Sequence, residues 1–199
     1  MGRTKKIVDK SVVLEASLDL IEREGIEAFS TRRLAARLRI SAMTLYNYYE
    51  NREAILREVA LRGLSDFLAS LAAELGRHPE VGRAPLLAYK LLAAEFMRLG
   101  KERPRLYLFL FDSGLEELRR DPEVAKYYGH LLEGIRARVR RPEALAGIEE
   151  DVYLFQVLVN GLVIGSIQGR SVLDAERYGA LVARAYDRLL SPHEAELEA

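Results

Sequence analysis

The sequence has no cysteine in its 199 residues, which excludes a disulfide framework and any thiolate metal site. Its three histidines, His78, His130 and His193, are too scattered for a metal centre or a catalytic triad, and each reads as a surface or internally satisfied residue. No nucleophile motif and no glycine-rich phosphate loop is present. These absences argue against an enzyme: no catalytic residue, no metal and no cofactor are expected. There is no net charge, with 30 basic and 30 acidic side chains, so indiscriminate attraction to nucleic acid is not expected either. The opening residues, with Arg3, Lys5 and Lys6, are basic but are not followed by the apolar run of a signal peptide, so a cytoplasmic protein is expected. The most apolar stretch, Val152 to Ile167, is 16 residues long and contains Gln156 and Asn160, too short and too polar for a membrane span. No internal repeat or low-complexity segment is visible.

What is present is a composition 49% hydrophobic and 30% charged, enough for a globular core. The charge is unevenly spread. Residues 1–52 carry 10 basic and 7 acidic side chains, and the rest carries 20 and 23. The first ten residues hold Arg3, Lys5, Lys6 and Lys10 against Asp9. Such an arm suits phosphate or minor-groove contacts, and equally suits a solvated tail.

The organising stretch runs from Phe29 to Arg52, FSTRRLAARLRISAMTLYNYYENR. Ser30 is placed as a helix N-cap, with Phe29 and Leu34 as its hydrophobic staple. Ser41 repeats the device with Ile40 and Leu45. Two capped starts eleven residues apart leave room for a short helix and a tight turn, the spacing of a helix-turn-helix. In the second helix, read as Ala42 to Tyr49, Leu45 and Tyr49 share an inward face. The other positions, Ala42, Met43, Thr44, Tyr46, Asn47 and Tyr48, include no Lys, Glu or Arg. Read from the residues alone, this face fits a DNA major groove, where Asn pairs with adenine and apolar groups touch the thymine methyl, or another protein element.

Over roughly Val8 to Ala60 the sequence resembles the TetR-type transcriptional regulators. The resemblance rests on Gly25, Ser30-Thr31, Leu34-Ala35, Ser41, Thr44-Leu45-Tyr46, Tyr48-Tyr49 and Asn51-Arg52. It implies an all-α protein: an N-terminal three-helix, helix-turn-helix DNA-binding domain at residues 7–67, and a C-terminal helical ligand-binding and dimerisation domain at residues 68–199. It implies that Thr31, Arg32, Thr44, Tyr46, Tyr48 and Arg52 touch the DNA backbone, while Ala42, Met43 and Asn47 face bases. The implied partners are a double-stranded DNA operator, a second copy of the chain and an unidentified small-molecule effector, with no membrane. Two positions depart from the family. Arg39 stands in the turn where glycine is usual; a left-handed arginine there costs about 1–2 kcal/mol, so either the turn is reshaped or the guanidinium recovers some of that cost on a phosphate. Arg52 replaces the usual lysine and adds a fork of donors.

The rest of the chain also reads as helical. Asp9 can cap a first helix, Lys10 to Glu24, with Val8 and Val13 as a staple and Gly25 as its C-terminal left-handed residue. That helix is expected only to wall the DNA-binding unit by covering Leu34, Leu38 and Leu45. Asn51 caps a long connecting helix, Arg52 to Leu75. Arg77 to Pro85 reads as a linker. Further helices are expected at Ala84 to Leu99, Pro104 to Phe111, Pro122 to Arg140, Ile148 to Gly169 and Ala175 to Leu190. The helix from Ile148 is apolar nearly all round, which implies burial on most sides. Gly161, Gly165 and Gly169 fall on one stripe of it with Leu154 and Leu158, a pattern that lets another backbone come close, either in a second copy or in the same chain. With Tyr178, Val182 and Tyr186 of the last helix, that stripe is the expected dimer interface, a four-helix arrangement that the resemblance also implies. The opposite face, with Gln156 and Asn160, is expected to look towards Tyr89, Phe96, Tyr107 and Phe111. Buried amides among aromatics suit a ligand and equally suit unpaired loop backbone. The expected function is a ligand-responsive repressor released from a palindromic operator by a small apolar effector. The alternative is a DNA-binding protein of the same fold with a structural or division-control role and no effector.

Overall fold

A computed structural model describes residues 9–112, 120–170 and 174–198, apart from the side chains at 127, 128 and 130. The basic arm with Arg3, Lys5 and Lys6, the staple residue Val8, and the His130 side chain lie outside the described residues. Among the described residues the regular elements are helices: α1 (Lys10–Glu24), α2 (Thr31–Arg37), α3 (Ala42–Tyr46), α4 (Arg52–Leu75), α5 (Leu87–Glu102), α6 (Pro104–Phe111), α7 (Pro122–Arg136), α8 (Leu145–Ile167) and α9 (Ala175–Ala185). An isolated antiparallel bridge joins Val139 to Leu197.

The helices start where side chains can accept their unpaired N–H groups. Asp9, Ser30, Ser41, Asn51 and Asp121 each accept a backbone N–H from the first turn that follows, and Asp174 does the same for α9. Both staples of the helix-turn-helix close inward: Phe29, Leu34 and Leu45 are buried and Ile40 is half-buried. Gly25 ends α1 at φ +86, and its N–H reaches the Ile21 carbonyl at 2.8 Å.

Several boundaries move from their expected places, three of them for reasons the hydrogen bonds show. The α3 helix ends at Tyr46 rather than Tyr49, because Asn47 and Tyr48 already turn back by three residues, onto Thr44 and Leu45. The α5 helix starts at Leu87 because Pro85 is used in the preceding turn. The α7 helix stops at Arg136 because the C-terminal tail captures the next backbone groups: Arg140 N–H donates to Glu196 O at 2.9 Å and Glu198 N–H to Arg138 O at 2.8 Å.

The α4 helix joins the two halves of the chain. It packs on α1 at one end and on α5, α6 and α7 further along, so the expected boundary at 67/68 falls inside it. The stretch from Arg77 to Pro85 is not a linker between domains. It holds a short 3-10 turn, Pro79–Gly82, and reverses the chain so that α5 packs back on α4. Nor is α1 only a wall of the DNA-binding unit: it also packs on α6, where Arg103 forms an ion pair with Glu22.

The α5 and α8 helices cross closely at Gly100, where a Cβ would come within 2.5 Å of Val163 Cγ1. A side chain at 100 would therefore hold the two helices apart. The α8 helix buries Ile148, Val152, Phe155, Val159 and Val163 on that side and exposes Tyr153, Leu154, Val157 and Leu158 on the other. Its expected burial on most sides is thus not met within one chain. The helical unit also begins before the expected Ile148: Pro142–Ile167 has 26 residues and by length and composition could cross a membrane, although here one side of it is core.

Candidate nucleic-acid interface and ligand cavity

The helix-turn-helix is rigidified from inside by small hydroxyl contacts. The Ser41 hydroxyl caps α3 through the Thr44 N–H and also meets the Thr44 hydroxyl at 2.9 Å. Thr31, at the start of α2, meets the Tyr46 hydroxyl at 3.1 Å and so ties the two helices together. Tyr49 is buried and donates to Glu58 of α4 at 3.3 Å. Burial, and then the charge of Glu58, push its phenol up to about 12. Lys10 lies 5.3 Å from the centre of the same ring. These contacts hold α3 with Met43 71% exposed, Tyr46 47% exposed and Asn47 exposed just past the last turn. Ala42, Thr44 and Tyr48 are half-buried beside them. An apolar, amide and phenol surface of this kind carries no charge of its own.

The arginines of the unit divide into two groups. Arg33 pairs with Glu24, and Arg37 with Asp19. Arg52 turns inward: it donates to the carbonyls of Phe29 at 3.2 Å and Ile26 at 3.4 Å and lies over the Phe29 ring. In this arrangement its donors close the loop between α1 and α2 rather than face the α3 surface. Arg32 and Arg39 are exposed and have no ion pair or hydrogen bond from their side chains among the described residues.

Arg39 has φ +55, the one positive-φ residue other than glycine among the described residues. The Ile40 N–H reaches the Ala35 carbonyl at 3.0 Å and the Arg39 N–H reaches Ala36 at 3.1 Å, the two bonds of a Schellman motif. Arg39 occupies the position where glycine is free of strain, at a cost of about 1–2 kcal/mol. The turn is therefore not reshaped to suit the arginine.

A cavity of about 460 Å³ opens in the C-terminal half. Leu64, Phe67, Leu68 and Leu71 of α4 form one wall, and Leu92 and Phe96 of α5 with Phe111 of α6 form another. Tyr153, Gln156, Val157 and Asn160 of α8 form a third, and Tyr153, Gln156 and Asn160 are the lining residues with polar side chains among those described. Three phenylalanines meet at its edge: Phe67 stacks on Phe96 at 5.2 Å and Phe111 lies 4.7 Å from Phe96. No charged side chain lines it among the described residues.

Of the six expected ligand residues, Phe96, Phe111, Gln156 and Asn160 line this cavity. Tyr107 stands behind them and donates to Asn160 Oδ1 at 2.7 Å. Tyr89 is fully buried outside the lining, and its hydroxyl has no partner among the described residues. The α4 wall was missed. Its residues showed only the spacing of a packing stripe, and nothing local distinguishes a side chain beside a cavity from one in solid core.

The expected dimer residues also divide. Leu154 and Leu158 are exposed, and a Cβ on Gly161 would meet no atom of this chain. Gly165 is half-exposed on the same helix. Gly169 follows the end of α8 at φ +66, which accounts for a glycine there without a neighbouring helix. Tyr178, Val182 and Tyr186 face inward instead. Tyr178 donates to the Ala93 carbonyl at 2.9 Å and Tyr186 to Glu194 at 2.8 Å. The apolar stripe of α9 packs on its own subunit, so these three side chains are not available to a partner.

Residues 13–59 match the family model described as bacterial regulatory proteins, tetR family. The tetracycline repressor protein class G of Vibrio anguillarum is 31% identical over 91 residues, 42% of this chain and 43% of that protein. The chain thus spans less than half the length of that curated relative. Among solved structures, a transcriptional regulator from Rhodococcus sp. Rha1 superposes with TM-score 0.67 at 18% identity, over 93% of this chain and 97% of that one. FadR from Bacillus subtilis, solved in complex with stearoyl-CoA, superposes with TM-score 0.64 at 16% identity, over 92% and 98%. A TetR-family regulator from Streptomyces coelicolor does so with TM-score 0.63 at 20% identity, over 91% and 99%. At these identities the solved structures share the fold.

Proposed function

We propose that this chain, a TetR-family DNA-binding transcriptional regulator by its N-terminal domain and its fold, is a cytoplasmic repressor that leaves a palindromic operator when a small apolar effector enters the C-terminal cavity. Residues 7–67 act as the DNA-binding domain and residues 68–199 as the ligand-binding and dimerisation domain. Met43 and Asn47 read bases from the exposed end of α3, with Ala42 at its start. Thr31, Arg32, Arg39, Thr44, Tyr46 and Tyr48 sit on the phosphate backbone around them. Two copies join through the exposed face of α8, with Leu154, Leu158, Gly161 and Gly165, which is otherwise an apolar surface left to water.

The observation that carries the effector reading is that the cavity and the DNA-binding unit share α4. Leu64, Phe67, Leu68 and Leu71 line the cavity, while Ile55, Leu56 and Val59 of the same helix are buried beside the recognition unit. A ligand that tilts α4 changes the distance between the two recognition helices of a dimer. Linkage requires that such a ligand bind the DNA-incompetent state better, and that DNA weaken the ligand by the same factor. The Bacillus subtilis neighbour was solved with stearoyl-CoA. Among the described residues no lysine or arginine lines the cavity here, which favours an uncharged effector. An open cavity also favours this reading over a DNA-binding role without an effector.

The test selects the operator from a random DNA pool and then measures its release by matched hydrophobic and anionic compounds. Release by neutral apolar compounds, reduced in Asn160→Leu with operator affinity unchanged, is the expected result. Release only by strong anions would overturn the apolar effector, and no release by any compound would favour the effector-free role.

A further inference from the structure

We propose that Asn160 offers the cavity its amide nitrogen as a donor-only polar point, so that the effector is a neutral, largely apolar molecule with a hydrogen-bond acceptor at that place. The inference rests on the reading of this cavity as the effector site.

The geometry starts behind the cavity wall. Tyr107 of α6 is fully buried, and its one hydrogen-bond partner among the described residues is Asn160 Oδ1 at 2.7 Å. Burial pushes the phenol well above its ordinary range, so it keeps its proton and remains a donor. A side-chain amide has an oxygen that accepts and a nitrogen that donates, on opposite branches. The oxygen has a second lone pair, but it is turned onto the hydroxyl of Tyr107, which is not a lining residue, so the nitrogen is the branch of Asn160 left for the cavity that this residue lines. Turning the amide over would point N–H at a phenol that has no other acceptor. Tyr107 is therefore a positioning residue: it touches no ligand but fixes what Asn160 can recognise.

The consequence is a chemical filter. A ligand carbonyl, ether or aromatic ring nitrogen next to Asn160 completes its hydrogen bonding. A ligand N–H at the same place leaves two donors facing each other, and leaving buried polar groups unpaired is what a binding site discriminates most strongly. A carboxylate meets no cation among the described lining residues and loses its hydration without compensation. Gln156 lies one turn earlier on α8 with no hydrogen-bond partner among the described residues, so its amide can turn either way and does not filter. The body of the ligand is left to Phe67, Phe96 and Phe111, whose clustered rings favour an aromatic or compact aliphatic shape.

Three matched bicyclic probes read the filter directly: quinoline, whose ring nitrogen only accepts; indole, whose N–H only donates; and naphthalene, which does neither. They are titrated at neutral pH by ligand-detected NMR against the full-length wild type and Gln156→Leu, which removes the undirected amide. In Gln156→Leu, quinoline should bind about fivefold more tightly than indole, the size of one net hydrogen bond. Adding Tyr107→Phe keeps the ring but frees the Asn160 oxygen, and should erase that preference. A purely structural role for Tyr107 would weaken all three probes together and leave their ratio unchanged, which would overturn the proposal. Indole equal to or tighter than quinoline in Gln156→Leu would also overturn it. If Gln156→Leu does not fold, Asn160→Asp replaces the donor by an acceptor, and the ratio should move towards indole relative to wild type; an unmoved ratio again overturns the proposal. Binding of none of the three probes to the wild type at millimolar concentration would instead overturn the reading of the cavity as a ligand site, and the filter with it.

Discussion

Arg57 on α4 forks onto Asp121, the N-cap of α7, with Nε to Oδ2 at 2.5 Å and Nη2 to Oδ1 at 3.2 Å. The two residues are 64 positions apart, and Asp121 at the same time accepts the N–H groups of Glu123 and Val124. One carboxylate thus holds both the start of α7 and the helix that leads to the helix-turn-helix. The Arg57 hydrogen bond, and then the two backbone N–H groups, hold this carboxyl below its ordinary value of 3.8. A lowered pKa stabilises the folded state above the ordinary value, and that contribution is lost as the pH falls through the lowered one. Arg57→Met should therefore melt at a lower temperature than wild type at neutral pH, with the gap closing in acid. Thermal melts across the acid range check this; a gap independent of pH would mean that the pair contributes nothing through its charge.

Arg39 is expected to trade stability for binding. Arg39→Gly removes the strain at φ +55 and should stabilise the free protein by about 1 kcal/mol, less what the added chain freedom of glycine costs when unfolded. The same change should weaken operator binding and flatten its salt dependence, because a phosphate contact is lost. Melting of the free protein and operator titrations at several salt concentrations measure the two effects separately. Unchanged affinity with raised stability would leave Arg39 as strain without a function in DNA binding.

Asn47 and Arg32 should fail in different ways. Asn47→Ala should relax base preference at one position in each half-site by about 1–3 kcal/mol. Arg32→Ala should weaken all sequences alike. Half-site centres should lie about 34 Å apart or near a multiple of that. Selection from a random DNA pool compares the two variants with wild type, and an unaltered selected sequence for Asn47→Ala would remove that residue from base reading.

Leu154 is 53% exposed in the single chain, so a charge there should leave the subunit fold intact. Leu154→Glu, and likewise Gly165→Leu, should give monomers at low micromolar concentration. Operator affinity should fall by about a hundredfold or more, because the two half-sites are no longer bound by one particle. Sedimentation of the two variants decides this: dimers that persist would place the interface elsewhere.

Much of the fold was legible in the sequence because it is local. A cap, a staple or a left-handed terminus acts within a few residues, so Ser30, Ser41, Asn51 and Asp121 announce their helices without knowledge of any neighbour. At Arg39 the sequence left a left-handed residue and a reshaped turn both open, and the structure has the first. The candidate site was legible only in part. Periodicity shows that a helix has an apolar side, but not what that side meets. Tyr178, Val182 and Tyr186 have the spacing of an interface and turn into their own subunit, while Leu154 and Leu158 have it and face water. Arg52 sits where a backbone contact with DNA was expected, yet its donors go to carbonyls 23 and 26 residues earlier.

The sequence by itself determined where the side-chain-capped helices begin, and that the exposed positions of α3 carry no charge. Those features depend on contacts made within a turn or two of helix. Only the tertiary structure decided which arginines stay free among the described residues, which tyrosine meets Asn160, and that α4 walls the cavity as well as packing beside the helix-turn-helix. Those depend on pairs such as Tyr107 with Asn160, 53 residues apart, which meet only when separate helices pack. Their separation along the chain carries no record of that meeting, because packing is set by the shape and volume of the whole core rather than by the neighbours of either residue.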